Sequence, residues 1–264
     1  MSLQIWGKYT TAIGPSALLT LALALLSPPA QALDLVPSAQ MWSEVDVSAR
    51  LSRQWTAQVD VQYSRQGDNG GTNFLSYNQQ LAVRPWLHFY VRPWLRLSTF
   101  AGLWDNFAIA EVGNRAYPEF RTALQASVYQ YLSASTIAHR LRIENRMIRD
   151  KQFSYEDVAR LRYQLKYVKP IARSEITKGT NYFVGFDEIF INGGSQVTGH
   201  NLFDQNRAFV GIGRALGDDV LMEIGYFNQV QLEANGTKLD VNHILQLSLM
   251  WTDVFAGRRL ADSQ

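Results

Sequence analysis

The amino-acid sequence predicts an all-β protein, a closed antiparallel β-barrel of the kind that crosses a bilayer with its strands. Beyond residue 40, apolar and polar residues alternate. In 55–63 the odd positions are apolar and the even positions polar. A period of two places these sets on opposite faces of a strand. The runs are long enough for the roughly 9–11 residues that a tilted membrane strand needs. Short and long links alternate between them, as is typical of outer-membrane barrels.

The composition excludes several classes of protein. The chain has 264 residues, of which 47% are hydrophobic and 18% charged, which is the composition of a folded chain. It has no cysteine, so a disulfide scaffold, a cysteine-ligated zinc site and a thiol nucleophile are excluded. A net charge of +2, with no basic cluster in a matching motif, gives no case for nucleic-acid binding.

The first 32 residues have the pattern of a cleaved secretory signal peptide. Lys8 precedes a short apolar run at 17–26, and the prolines in 27–29 end that run. Ala30 and Ala32 then provide the small-x-small form of a cleavage site. The run is too short for a membrane-spanning helix. We therefore predict three segments, namely a signal peptide at 1–32, a barrel at 33–255 and a polar tail at 256–264.

The strands of the predicted barrel follow one another directly along the chain. We predict them at 42–51, 54–64, 74–91, 95–106, 118–131, 136–148, 157–168, 180–191, 203–214, 219–231 and 240–253. Eleven runs are visible, whereas single-chain bacterial barrels usually have an even number of strands. The short segment 33–40 is the only candidate left for a partner strand. The prediction is therefore twelve strands, with ten as the alternative.

The charged faces of these strands are predicted to line the lumen, because the apolar faces must meet lipid. The set contains nine arginines and six acidic residues, and no lysine. Its members are Glu44, Asp46, Asp60, Arg84, Arg96, Glu119, Arg121, Arg140, Arg142, Glu144, Arg146, Arg160, Arg162, Arg207 and Glu223. Arginine forks bridge two acceptors and remain charged. Two interpretations stay open: a structural lattice of ion pairs, or a lining selective for a small anionic solute.

Two details of facing follow from the alternation. A symmetric hairpin around 149–156 sets Glu144 opposite Arg162 or Arg160. The adjacent acids Asp187 and Glu188 break the alternation, and one of them must turn inward near the outer rim. A bulge between them would be another solution.

Several segments resemble a known bacterial family. They include 139–146 (HRLRIENR), 160–163 (RLRY), 186–190 (FDEIF), 203–207 (FDQNR) and 223–229 (EIGYFNQ). Gly211-Ile212-Gly213 and His243-Ile244-Leu245 also fit. This ordered set, spread over roughly 40–253, resembles the uncharacterised outer-membrane barrels called domain of unknown function 2490. The resemblance implies a barrel and no activity.

Catalytic and metal-binding patterns are weak. The four histidines are scattered, without the spacing of a metal site. An outward Asn228–His243 pair near the outer rim resembles part of an outer-membrane phospholipase triad. Leu245, however, occupies the position expected for the serine, and Ser43 would be separated from His243 by a missing strand. The pair therefore lacks a nucleophile in hydrogen-bond reach of its base.

The sequence thus predicts a non-enzymatic outer-membrane barrel of a Gram-negative bacterium, either structural or a narrow passive channel with an arginine-rich lumen. The alternative is an outer-membrane enzyme that modifies lipids, of the phospholipase or deacylase type. Neither a cofactor nor a metal is expected. The expected partners are outer-membrane lipids and the barrel-assembly machinery, with a small anionic solute as a further possibility.

Overall fold

The residues that the structure describes form eleven β-strands. The computed structural model describes residues 33–67, 73–109, 115–149 and 154–255. The strands are β1 (Asp34–Arg50), β2 (Trp55–Gln66), β3 (Tyr77–Arg92), β4 (Leu95–Ile109), β5 (Arg115–Leu132), β6 (Ser135–Arg149), β7 (Tyr155–Pro170), β8 (Asn181–Asn192), β9 (Phe203–Ala215), β10 (Val220–Leu232) and β11 (Lys238–Trp251). In these ranges, no helix has the length and apolar character required to span a bilayer. The predicted signal peptide with its cleavage residues Ala30 and Ala32, and the predicted tail 256–264, lie outside the described residues.

The sheet closes on itself through its first and last strands. Each strand pairs antiparallel with the next one along the chain, and β1 pairs with β11. This last pairing, here called the seam, is parallel and extends from Asp34 opposite Lys238 to Val47 opposite Trp251. The predicted all-β closed barrel is therefore confirmed. The predicted twelve strands and the alternative of ten are both wrong, as is a purely antiparallel closure.

The twelfth strand was expected from the segment before residue 42, and this segment turns out to be the beginning of β1. The chain does not reverse there, and β1 is one strand of 17 residues. Gln40 and Trp42 are both buried on its inner face, so the alternation continues across the expected boundary. The expectation of an even number assumed that the closing pair is antiparallel. A parallel seam removes that requirement.

The two ends of the barrel differ in their connections. The long-loop end has the links 67–76, 110–114, 150–154, 193–202 and 233–237. The short-turn end has the links 51–54, 93–94, 133–134, 171–180 and 216–219, of which 171–180 is long. Because the number of strands is odd, β1 begins at the long-loop end and β11 finishes at the short-turn end.

The two faces of the barrel wall have opposite polarity. Leu124 and Ile143 point outward and are 70% and 59% exposed, whereas Glu144 points inward and is 1% exposed. Inward residues of neighbouring strands form rows across the wall, because the register pairs them directly. One such row runs through Arg96, Ser127, Arg140, Gln164, Glu188 and Arg207.

Candidate functional site

The residues that the sequence predicts for the lumen lie at the inner wall in three groups. One group lines a cavity toward the short-turn end, and it consists of Glu44, Asp46, Asp60, Arg84, Arg96, Arg140, Arg142, Arg162, Arg207 and Glu223. Arg121 and Arg160 line a smaller cavity toward the long-loop end. The remaining three, Glu119, Glu144 and Arg146, are each 1% exposed and are buried in ion pairs.

Glu144 is the centre of the largest ion-pair cluster. Its Oε1 accepts from Arg162 at 2.6 Å and from Arg142 at 3.1 Å, and its Oε2 accepts from Arg160 Nη2 at 2.8 Å. The register pairs Glu144 with Arg160 across β6 and β7, and Arg142 with Arg162. Three guanidinium groups therefore surround one carboxylate, with all four side chains buried. A carboxylate accepts such charge-assisted bonds through both of its oxygens.

Two further acids extend this cluster. Glu188 accepts from Arg140 at 2.6 Å and from Arg162 at 2.8 Å, and Asp204 accepts from Arg160 at 3.1 Å. The sequence raised Glu188 only as one of two acids that must turn inward. The side chain of Glu188 is inward as part of the even-numbered face of β8. Asp204 was missed, because it lies where the pairing of β8 with β9 shifts register and simple alternation ends.

A second cluster lies nearer the long-loop end. Glu119 on β5 accepts from Arg121 at 2.5 Å and from Arg146 on β6 at 2.6 Å. Each arginine also donates a second bond to the other oxygen of the same carboxylate. Such bidentate contacts fix the orientation of the planar guanidinium groups. They also tie β5 to β6 on the inner face.

Arginines and aromatic rings together form a layer between these two cavities of the lumen. Arg162 lies over the Phe190 ring at 4.1 Å, and Arg142 lies over Trp86 at 4.9 Å. Arg207 contacts the faces of both Phe190 and Trp42, at 4.8 and 5.1 Å. Cations stacked on aromatic faces are held by the ring quadrupole. Side chains of this layer, here called the partition, border both cavities.

The cavities on either side of the partition differ in size. The cavity toward the short-turn end has a volume of about 510 Å³, and it is called the vestibule below. Its walls reach Thr136, Val168 and Trp251, which lie at the short-turn ends of their strands. The cavity toward the long-loop end has a volume of about 80 Å³ and is lined largely by glutamine and arginine side chains. Of these two cavities, the vestibule is therefore much the larger.

The link 193–202 folds over part of the long-loop end. The carboxylate of Glu156 accepts from the backbone N–H groups of Gln196 at 2.9 Å and of Val197 at 3.0 Å. The Val197 side chain is buried against Tyr117 and Ile148, on the inner faces of β5 and β6. An apolar contact and two hydrogen bonds thus hold this link against the wall.

Three carboxylates lie close together on the wall of the vestibule that β1 and β2 form. Glu44, Asp46 and Asp60 each have an oxygen within 4.8 Å of the others. Arg84 contacts Glu44 and lies 3.6 Å from Asp60, so a guanidinium already balances part of this charge. Asp46 Oδ1 is buried without a hydrogen-bond partner. Such oxygens are the donor type for a hard divalent cation, but no metal is expected where Arg84 is already in contact with two of them.

A buried serine–histidine pair lies inside the wall and was not singled out in the sequence. His88 Nδ1 is 2.8 Å from Ser98 Oγ, and His88 Nε2 is 3.1 Å from Gln58 Oε1. Both ring nitrogens are therefore engaged. Ser98 is 6% exposed and belongs to the wall of neither cavity described above. The pair has the composition of a nucleophile and a base, but the serine that would be the nucleophile is buried in the wall.

The outward histidine of the enzyme hypothesis has a different partner from the one expected. Asn228 and His243 are register neighbours, so the predicted pairing of these two positions is confirmed. The imidazole Nδ1, however, is 2.6 Å from the hydroxyl of Tyr226. The expected missing strand does not exist, since β1 lies directly beside β11, where Ser43 is opposite Leu247 and Ala39 opposite His243. Ser43 is therefore four residues along the seam from the level of the imidazole.

The matches to known proteins agree with the resemblance that the sequence suggested. The model of the protein family of unknown function DUF2490 matches residues 39–240. The chain belongs to the DUF2490 family. It is also similar to an uncharacterized protein of Methylorubrum extorquens, with 30% identity over 199 residues that cover 72% of this chain and 80% of that protein. No solved structure matches the chain.

Proposed function

We propose that this DUF2490 protein is an outer-membrane β-barrel of a Gram-negative bacterium, without enzymatic activity, whose lumen is occluded by its own side chains. The observation that carries the proposal is the reversed polarity of the wall. A soluble barrel buries apolar side chains inside, whereas here Arg146 and Glu144 are buried and large aliphatic side chains are exposed. A lipid environment accounts for this arrangement, because the apolar side chains of the outer face would contact hydrocarbon, while the charged side chains of the inner face are neutralised in ion pairs.

The distribution of outward aromatic residues supports the same proposal. Exposed Trp55, Trp94, Tyr131 and Trp251 lie at the short-turn end. Exposed Tyr77, Phe107 and Tyr155 lie at or near the long-loop ends of their strands. Aromatic rings at both borders of an aliphatic band are typical of membrane barrels. In the orientation we propose, the long-loop end is outside the cell and the short-turn end faces the periplasm.

One outward residue interrupts the aliphatic band. Asp187 is exposed on the outer face, where its carboxylate accepts from Asn206 Nδ2 at 3.2 and 3.3 Å. A carboxylate at this level carries a cost in lipid, although acids are tolerated better than bases on the outer face of a barrel. The bond from Asn206 offsets part of that cost.

The occluded lumen favours a structural role over an open channel. The partition and the folded link 193–202 both narrow the passage, and the cavity beyond the partition is small. We therefore expect the barrel to show little or no steady ion conductance. Outer-membrane lipids and the barrel-assembly machinery are its proposed partners.

The proposal is tested by placing a charge on the outer face. Leu124→Arg replaces an outward side chain in the middle of β5, and Ser133→Arg is its control in an exposed turn. Expressed with its signal peptide, the wild-type protein should sediment with outer membranes and migrate on unheated gels as a folded species. Leu124→Arg should reduce that folded fraction, by about 2–4 kcal/mol in the stability of the inserted barrel. Ser133→Arg should leave it unchanged. Wild-type protein in the soluble periplasm, or Leu124→Arg without effect, contradicts the proposal.

A further inference from the structure

Cations that line the vestibule outnumber the acids that could neutralise them. Arg84, Arg140, Arg142 and Arg162 are each bound to a carboxylate. Among the described residues, no ion pair engages Arg96, Lys166 or Arg207, although all three border the vestibule. Arg207 is accounted for by its stacking on aromatic rings and by its bond to Gln229 at 3.0 Å. Arg96 and Lys166 remain as cations without a carboxylate.

The environment of Arg96 leaves donors available to a ligand. Its guanidinium lies 5.6 Å from the centre of the Tyr129 ring and 6.0 Å from that of Tyr90. These rings orient the side chain and accept no full hydrogen bond from it. Its Nε is buried and has no hydrogen-bond partner. A buried donor of a charged group that is left unpaired costs free energy, which an anionic acceptor would recover.

Three small side chains, and Arg140 in its ion pair with Glu188, lie between the two cations along the wall. The register places Arg96 beside Ser127 on β5, Ser127 beside Arg140 on β6, and Ala138 beside Lys166 on β7. Ser127, Thr136 and Ala138 line the vestibule between the two long cationic side chains. Short residues there leave room, and both cations project toward the same space.

The wall that lies beyond Lys166 is aromatic. Phe186 is stacked on Phe209 with ring centres 5.1 Å apart, and it meets Phe227 edge-on at 5.6 Å. All three rings border the vestibule. Two acids on these strands border the vestibule. Glu188 is paired with Arg140 and Arg162, and Glu223 is bonded to the Tyr182 hydroxyl at 3.0 Å. The vestibule thus combines an apolar wall with two cations, Arg96 and Lys166, that have no ion pair among the described residues. Pockets that bind small molecules have volumes of about 300–1,000 Å³ and likewise combine apolar walls with a few polar or charged groups.

From this arrangement we propose that the vestibule binds a small organic anion. Arg96 and Lys166 hold its carboxylate or equivalent anionic group, and its apolar body packs against Phe186, Phe209 and Phe227. The carboxylates Glu44, Asp46 and Asp60 on the opposite wall repel the anionic group and so fix its direction. The ligand enters from the short-turn end, because the partition closes the other side. This proposal concerns the lumen and holds whether or not the outer face lies in a membrane.

The test is a calorimetric titration of the full folded chain in dodecyl maltoside, with micelles alone as the blank. Three probes share one ring: 4-fluorobenzoate, 4-fluorobenzyl alcohol and 4-fluorobenzylamine. We expect 4-fluorobenzoate to bind, and the alcohol and the amine to bind at least about 10-fold more weakly, since a charge-assisted bond contributes about 1.5–3 kcal/mol. Inorganic phosphate, which lacks the apolar body, should also bind more weakly than 4-fluorobenzoate.

Variants assign the binding to the two cations. Arg96→Gln and Lys166→Gln should each weaken 4-fluorobenzoate binding about 10-fold. The controls Arg92→Gln and Lys169→Gln change exposed cations on neighbouring parts of the wall and should leave it unchanged. Gel migration of the unheated protein verifies that each variant is folded. Absence of 4-fluorobenzoate binding, stronger binding of the amine or the alcohol, or full binding by both Gln variants would overturn the proposal.

Discussion

Arg160 and Glu144 face each other directly across β6 and β7, and the guanidinium approaches the carboxylate to 2.8 Å with both side chains nearly inaccessible to water. The same arginine reaches Asp204 on β9 at 3.1 Å, so a single side chain links three strands. Because β8 lies between β7 and β9, this link passes across the inner face of the wall. Ion pairs of this kind couple the register of strands that are not neighbours.

We expect Glu144→Gln to destabilise the barrel strongly. The change leaves Arg142, Arg160 and Arg162 around a neutral amide, and breaking one side of a buried pair costs about 3–5 kcal/mol. The temperature at which the folded species disappears from unheated gels should fall. Glu175→Gln, in the exposed link 171–180, is the control and should not alter it. A Glu144→Gln barrel that melts like the wild type would mean that the cluster contributes nothing to stability.

The partition should determine the conductance of the barrel. Arg207→Ser removes a side chain that lies over Trp42, Phe190 and Phe227 and has no ion pair among the described residues. We expect single-channel recordings in planar bilayers to show near-zero current for the wild type and measurable openings for Arg207→Ser. Arg214→Ser changes an exposed arginine on the same strand and should behave as the wild type does. Large steady currents from the wild-type protein would contradict an occluded lumen.

The proposed orientation of the barrel in the membrane can be tested by labelling single introduced cysteines, because the native chain has no cysteine. Lys238→Cys lies at the long-loop end and Ser133→Cys at the short-turn end. On intact cells, a membrane-impermeant maleimide should label the first variant only, and both after the outer membrane is permeabilised. The reverse labelling pattern would show that the proposed orientation is wrong, but it would not contradict the proposal of a membrane barrel.

The enzyme alternative gives a clear negative expectation. His243 has Tyr226 as its hydrogen-bond partner, and Ala39 and Asn228 as its register neighbours, none of which is a serine. A second histidine–tyrosine hydrogen bond lies on the outer face of β6 and β7, where His139 Nδ1 is 2.8 Å from the Tyr163 hydroxyl. Purified protein should release no fatty acid from phospholipid or lipid A, with or without calcium. If the wild-type protein released fatty acid and His243→Ala did not, the alternative of a lipid-modifying enzyme would be supported.

The local pattern of the sequence predicts which face of a strand is buried, and much of the wall follows from it. Alternation is a property of a few consecutive residues, so the positions of Arg142 and Glu144 on one face could be inferred without knowing any partner strand. The hairpin register of β10 with β11, which sets Asn228 beside His243, also follows from a short link.

Other features depend on contacts between distant parts of the chain. The number of strands was wrong because the seam joins residues about 200 apart, from Asp34 with Lys238 onward, and no local pattern marks a parallel pair. Asp204 lies at an irregularity, where two adjacent residues, Asp204 and Gln205, are both buried. The vestibule was also not foreseen, since a cavity arises from small residues on several strands meeting at one level.

The parallel seam constrains how the chain can be rearranged. In a barrel closed by an antiparallel pair, the termini are neighbours at one rim, and a short linker could join them to create a circular permutant. Here, the paired stretch from Asp34 to Val47 separates the termini by about 45 Å at ~3.3 Å per strand residue. A linker between them would have to run along the outer face of the wall or through the lumen past the partition. Because β1 and β11 lie at opposite ends of the described sequence, the seam can form only when both strands are present in one uninterrupted order.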